Sequence, residues 1–288
     1  MADRWARWLL EGRHGGDQRL HERLLSELMV VRDRLLDGAA IKEGSVLLDV
    51  GCGDGLMAFG ALERVGKTGV VIFTDISDDL LAKCRAMAEE LGVLSRCRFV
   101  RAPAENLVGV DDAAVDMVTT RSVLIYVKDK PRAFSEFHRV LHPGGRIALH
   151  EPINRLMDDG PDEFVGFDVS QVPELAAKLK EARRCRLDPD DPMLDFDERD
   201  LVHMAEKVGF TNINLEMRLT VAKEPLPITW EAFLSSSPNP LAPTRREFIE
   251  NVLTPSEVQT FYAHLKPVIE AGTRIKRLAL ADLWADKT

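Results

Sequence analysis

Apolar residues at 46–48 and 50 form a near-continuous run that stops at glycines 51, 53 and 55. Such a run reads as a buried parallel strand ended by a tight turn, and the turn leads into a helix over residues 56–65. A second run, Val70-Val71-Ile72-Phe73-Thr74-Asp75, predicts the next strand. Ser77 is placed to cap a helix over 78–91, which Gly92 stops. Residues 98–101 predict a third strand and 113–120 a fourth, with Val115, Met117 and Val118 apolar. Pro131 opens a helix to Leu141, Pro143-Gly144-Gly145 closes it, and 146–150 predicts a fifth strand. This strand–helix alternation is the pattern of a doubly wound, mostly parallel α/β sheet.

Outside that core the pattern changes. Residues 4–10 and 20–36 carry apolar side chains at helical spacing around a polar, glycine-rich break at 11–17. Residues 153–195 are irregular, with one helix near 172–179. A helix over 197–209 and a strand over 213–221 follow. Helices are expected at 230–234, 245–252 and 255–271, then a last strand over 275–284. There is no internal repeat and no low-complexity tract.

The glycine turn carries candidate chemistry. Its pattern is D-x-G-x-G-x-G, with Asp49 inside the strand end. A dinucleotide fingerprint G-x-G-x-x-G would need glycine at 56, where Leu56 stands, so a nicotinamide-dependent oxidoreductase is the weaker alternative. Asp75 ends the second strand, about 20 residues past the turn, where an acid can accept hydrogen bonds from ribose hydroxyls.

These segments resemble the class I S-adenosylmethionine-dependent methyltransferases, in particular the small-molecule branch with the ubiquinone/menaquinone-biosynthesis-type enzymes. The resemblance covers residues 44–152 through LLDVGCGDG (47–55), VIFTDIS (71–77), RAPAENL (101–107), VDMVTTRSVLIYV (115–127) and FHRVLHPGGRIALHEP (137–152). It implies a Rossmann-like methyltransferase fold: a doubly wound seven-stranded sheet, mostly parallel, closed by an antiparallel pair. Residues 1–43 would be a helical lid over the cofactor mouth, or else a helix pair packed on the sheet edge. Residues 44–152 would be the cofactor-binding core, and 153–288 would complete the sheet, with substrate-capping insertions at about 153–195 and 225–272. The implied cofactor is S-adenosylmethionine. Gly51 and Gly53 would pass beside its methionine part, and Asp49 would order its amino group. Asp75 would take the ribose, Ile76 an adenine face, and Ala104, Glu105 and Arg121 would complete the site. Pro103 departs from the family, which often has an acid there. A protein that binds the cofactor without transferring methyl is a further alternative.

Methyl transfer asks chiefly for a positioned nucleophile and a dry site. The candidate catalytic residues are His14, Tyr126 and Glu151; His150 is a further possible base, though a lone histidine is more often structural. Thr119-Thr120-Arg121-Ser122 replaces the Asn/Asp-Pro-Pro-aromatic segment of nucleobase and glutamine methylases, which points to a small-molecule acceptor. The net charge of −9 disfavours nucleic acid as a partner. No run of about 18 apolar residues predicts a membrane span. The charged amino terminus has no secretory core, and the cytoplasm is the expected compartment. Four cysteines lack C-x-x-C spacing and His138/His142 lack a third ligand, so no metal is expected. A homodimer is left open.

Overall fold

In the computed structural model, which describes residues 2–186 and 191–288, the chain starts with a short helix α1 (Arg4–Arg7) that runs into a π-helical turn, Trp8–Gly12. A long helix α2 (Gln18–Gly38) follows. The alternating core is β1 (Val46–Val50), α3 (Leu56–Arg64), β2 (Val70–Asp75), α4 (Asp78–Glu90) and β3 (Cys97–Arg101). It continues with β4 (Val115–Arg121), α5 (Lys130–Val140) and β5 (Leu141–Pro152). A small hairpin, β6 (Glu163–Phe164) and β7 (Phe167–Asp168), precedes α6 (Pro173–Arg186), α7 (Glu198–Val208) and β8 (Phe210–Pro225). Helices α8 (Trp230–Ser235), α9 (Arg245–Val252) and α10 (Pro255–Glu270) lead to β9 (Thr273–Lys287).

The sheet has seven strands in the order β3-β2-β1-β4-β5-β9-β8. The five strands from β3 to β5 are parallel, and β9 and β8 close the sheet antiparallel. This is the expected architecture. Its two faces are covered by separate apolar layers. Phe134, Phe137 and Leu201 pack on one, and Leu35, Leu36, Met57 and Trp284 on the other. A third apolar cluster, with Phe164, Phe167, Phe233, Phe261 and Leu265, joins the hairpin and helices of the late insertions to Leu20 of α2.

The main strand differences from the sequence expectation lie in β5, β8 and β9. Strand β5 begins at Leu141 rather than 146: Leu141 pairs with Val115, and the next pair is Met117 with Arg146. The proline–glycine segment is therefore a bulge within the strand and not a break, since a bulge absorbs surplus residues without ending the ladder. Strands β8 and β9 outrun their predicted ends because they pair with each other from Phe210–Lys287 to Pro225–Thr273, beyond the rest of the sheet. Residues 187–190 of the first insertion and the side chain of Cys185 lie outside the described residues; Cys52, Cys84 and Cys97 are free thiols.

Candidate active site

A cavity of about 510 Å³ opens at the carboxyl ends of β1, β2, β4 and β5. That end of a doubly wound sheet is where strand order reverses on either side of β1, so the connections splay apart and leave a crevice. Asp49, Gly51, Gly53, Asp75, Ile76, Ala104, Glu105 and Arg121 all line it. The eight positions expected to hold a cofactor thus share one wall system.

The turn after β1 explains its glycines. Gly51 has φ +65°, and a Cβ there would lie 2.5 Å from Val123 Cγ2. Gly53, at φ +56°, donates its N–H to Asp75 Oδ2 at 2.9 Å, and Ser77 N–H donates to Asp75 Oδ1 at 2.9 Å. The Asp75 carboxyl is thus oriented by backbone before any ligand arrives. Burial still outweighs these bonds and raises its pKa.

Asp49 is 1% exposed. Its Oδ1 accepts from Thr119 Oγ1 at 2.9 Å, while Oδ2 is buried with no hydrogen-bond partner. Burial pushes this acid up to about 7, against the opposing Thr119 bond and Arg121 charge. An unpartnered buried polar atom costs roughly 1–3 kcal/mol, more for a charged one. A cationic amino group is the partner such a site lacks. The bare Gly51 backbone and the two acids at neighbouring strand tips, both hydrogen-bond acceptors, make a set suited to an amino-acid nucleoside.

Register builds the other half of the cavity. Thr119 pairs with Asp49 and Ala148, and Ala148 with Trp284, so these side chains share one face. Two residues on, the same face presents Arg121, His150, Asp282 and Glu216 in a row across β4, β5, β9 and β8. His150 lines the cavity, and its Nδ1 lies 2.5 Å from Asp282 Oδ1. Arg34 of α2 pairs with Glu216 and stands 3.5 Å from Asp282 Oδ2.

The three expected catalytic residues separate. Tyr126 does line the cavity, edge-on to Trp5 with ring centroids 5.1 Å apart. Burial pushes its hydroxyl up to about 12, so it keeps its proton at neutral pH and can donate a hydrogen bond into the cavity. Glu151 lies on the opposite face of β5 from His150, fully buried and off the cavity wall. Its Oε1 accepts from Val123 N–H (2.9 Å), Leu124 N–H (3.0 Å) and Thr120 Oγ1 (3.3 Å), and its Oε2 from Ile125 N–H (3.4 Å). The expectation of a base at Glu151 is corrected: the carboxylate holds the turn after β4, where Ser122 takes φ +56°. His14 is absent from the wall of the main cavity and lies with His21, Leu24 and Leu25 in a small adjoining one, which shares Arg13, Asp54 and Arg121 with it. Burial, then Arg13, lower it to about 4.

The amino-terminal segment supplies part of the cavity wall. Asp3 Oδ2 accepts from Ser77 Oγ at 2.6 Å, tying α1 to the start of α4. Trp8 Nε1 donates to Ser237 carbonyl at 3.1 Å, tying the π turn to the late insertion. Trp5, Trp8, Leu9 and Arg13 then face the cavity. In helix α2, Leu28 and Val31 line the cavity, while Leu35 and Leu36 pack on the sheet. Sequence reasoning missed Arg13, Arg34 and Asp282. Arg13 sits in a break without periodicity, and the other two acquire meaning only through contacts remote in the chain.

A family model described as a methyltransferase domain matches residues 48–149. The chain is similar to the ubiquinone/menaquinone biosynthesis C-methyltransferase UbiE of Klebsiella pneumoniae, at 29% identity over 187 residues, 62% of this chain and 71% of that protein. UbiE of Psychromonas ingrahamii matches at 33% over 147 residues, 49% of this chain and 55% of that one. Among solved structures, geranyl diphosphate methyltransferase in complex with S-adenosylmethionine aligns at a TM-score of 0.52 and 18% identity, covering 98% of this chain and 94% of that one. Phosphoethanolamine N-methyltransferase 2 of Haemonchus contortus, also with S-adenosyl-L-methionine, gives 0.52 and 17%, covering 98% and 56%. At such identities the structural matches speak for the fold alone.

Proposed function

The chain belongs to the class I S-adenosylmethionine-dependent methyltransferases, and we propose that its cavity holds the cofactor over the tips of β1 and β2 and a flat, largely apolar acceptor beneath Trp5 and Trp8. The observation that carries this reading is the buried, unpartnered Oδ2 of Asp49, an acceptor set where the cofactor's amino group needs one. Gly51 and Gly53 let the backbone approach the methionine part. Asp75, already aimed by two backbone N–H groups, offers its remaining lone pairs to the ribose. Ile76 covers one adenine face, with Ala104 and Glu105 along its edge, and Arg121 answers the cofactor's carboxylate.

When bound, S-adenosylmethionine supplies an electrophilic methyl group on a sulfonium. The protein's part is to hold an acceptor atom in line with that methyl and to keep water out. Trp5, Trp8, Met193, Leu278 and Leu280 supply apolar walls for a ring-shaped acceptor. The Tyr126 hydroxyl donates a hydrogen bond that orients it. The relatives, named as C-methyltransferases of quinone biosynthesis, favour an electron-rich ring as the acceptor.

The test is calorimetry with S-adenosylhomocysteine, followed by methyl-labelled cofactor against quinol-like, phenolic and amine metabolites. Asp75→Ala is expected to weaken S-adenosylhomocysteine more than about tenfold, because hydrogen bonds to a charged acceptor contribute roughly 1.5–3 kcal/mol each. Unchanged affinity refutes the ribose assignment, and no binding by the wild type refutes the reading.

A further inference from the structure

We propose that His150 is the base that takes a proton from the acceptor, with Asp282 and Arg34 as its positioning residues, so that the acceptor class is a hydroxyl that ionises: a phenol or an enol. This rests on the methyltransferase reading above and deepens it at the same cavity.

The geometry is that of a carboxylate-backed imidazole. Asp282 holds Nδ1 of His150 at 2.5 Å, both groups are buried, and they face each other as a direct cross-strand pair. A carboxylate at Nδ1 selects the tautomer with the proton there, which leaves the Nε2 lone pair as the basic site. Nε2 has no hydrogen-bond partner among the described residues, and His150 is part of the cavity wall. Asp282 is itself held: Arg34 reaches its second oxygen at 3.5 Å and is tied to Glu216 on the far side. The imidazole is thereby fixed on strands rather than on a loop, which suits a group that must meet its proton within a narrow range of positions.

The charged groups around it are Asp282 from β9, Arg34 from α2, Arg121 from β4, Glu151 beside it on β5, and Tyr126 across the cavity. Of these, Asp282 is hydrogen-bonded to the ring, and it stabilises the imidazolium that proton uptake creates. In the step, the acceptor O–H bond breaks and its proton goes to Nε2. The freed oxygen electron pair forms the O–CH₃ bond, and the methyl–sulfur bond breaks with its electrons left on sulfur as a thioether. An acceptor with no proton to lose, such as a tertiary amine, gains nothing from this arrangement.

The full-length wild type, His150→Gln and Asp282→Asn are to be loaded with S-adenosylhomocysteine and then with 4-nitrophenol, at a pH below that phenol's own midpoint. Phenolate absorbance reads ionisation of the bound probe without turnover. The wild type is expected to bind it as phenolate and His150→Gln as the neutral phenol. With labelled cofactor and 4-methoxyphenol, His150→Gln is expected to lower kcat roughly 100-fold, with the KM for S-adenosylmethionine unchanged. Asp282→Asn should lower kcat about tenfold or more and move the acid limb of its pH profile, which a purely structural loss would leave in place. Should His150→Gln fail to fold, Asp282→Asn carries both readouts. Failure of the wild type to bind S-adenosylhomocysteine strikes the cofactor reading. Cofactor bound but the probe unbound or neutral in the wild type, equal ionisation in His150→Gln, or undiminished turnover by that variant overturns the base assignment alone.

Discussion

Asp49 is an acid kept where its charge is disfavoured, and that makes it measurable. Burial raises it to about 7, above its ordinary 3.8. The folded state therefore holds the proton more tightly than the unfolded chain. The stability this gives is complete below about pH 4 and is lost as pH rises through about 7, of order 4 kcal/mol at most. The cofactor's ammonium group should reverse the preference and expel the proton. At pH 6, calorimetry with S-adenosylhomocysteine is expected to release up to about one proton, seen as a binding enthalpy that grows more exothermic in buffers of higher ionisation enthalpy. Asp49→Asn should abolish that dependence. A buffer-independent enthalpy in the wild type would place the amino group elsewhere. Asp49 and Asp75 were legible in the sequence because each ends an apolar strand and the glycine turn lies between them. Glu151 looked equally promising by position. Strand parity, which sends neighbouring side chains to opposite faces, separates it from His150.

At the scale of elements, the turn after β4 (with the short 3₁₀ helix Leu124–Tyr126) depends on Glu151, whose carboxylate gathers three successive N–H groups. Glu151→Gln turns an amide N–H toward some of those donors. It is expected to cost about 2 kcal/mol, read as a lower melting temperature. If Glu151 supports the turn and is no base, the acid limb of the kcat profile should stay where it was; a shifted limb would restore the catalytic reading. For α1 and the π turn, too, the contacts that position them are remote in the chain. Their aromatic residues were visible as a lid motif, but the ties to Ser77 and Ser237 join chain segments that no periodicity links.

Across the whole molecule, α2 is the connecting beam. Leu20 belongs to the apolar cluster of the insertions, while Leu35 and Leu36 belong to the sheet. A helix anchored in both cores couples them, so one cooperative thermal transition is expected. S-adenosylhomocysteine at about 100 times its Kd contributes roughly 2.7 kcal/mol, which for a chain of this length corresponds to a rise of about 4 °C. Two transitions with only one displaced by ligand would show that the insertions unfold apart from the sheet.

The amino-acid sequence by itself determined the strand–turn–helix alternation, the glycine turn and the acids at two strand tips, because each of these is written in neighbouring residues: apolar runs, caps and the need for a bare backbone. What only the tertiary structure decided is the pairing of His150 with Asp282, 132 residues apart, and its support from Arg34. That meeting depends on the antiparallel register of β9 against β5, which is set by which face is buried across the whole sheet and cannot be read from any local stretch.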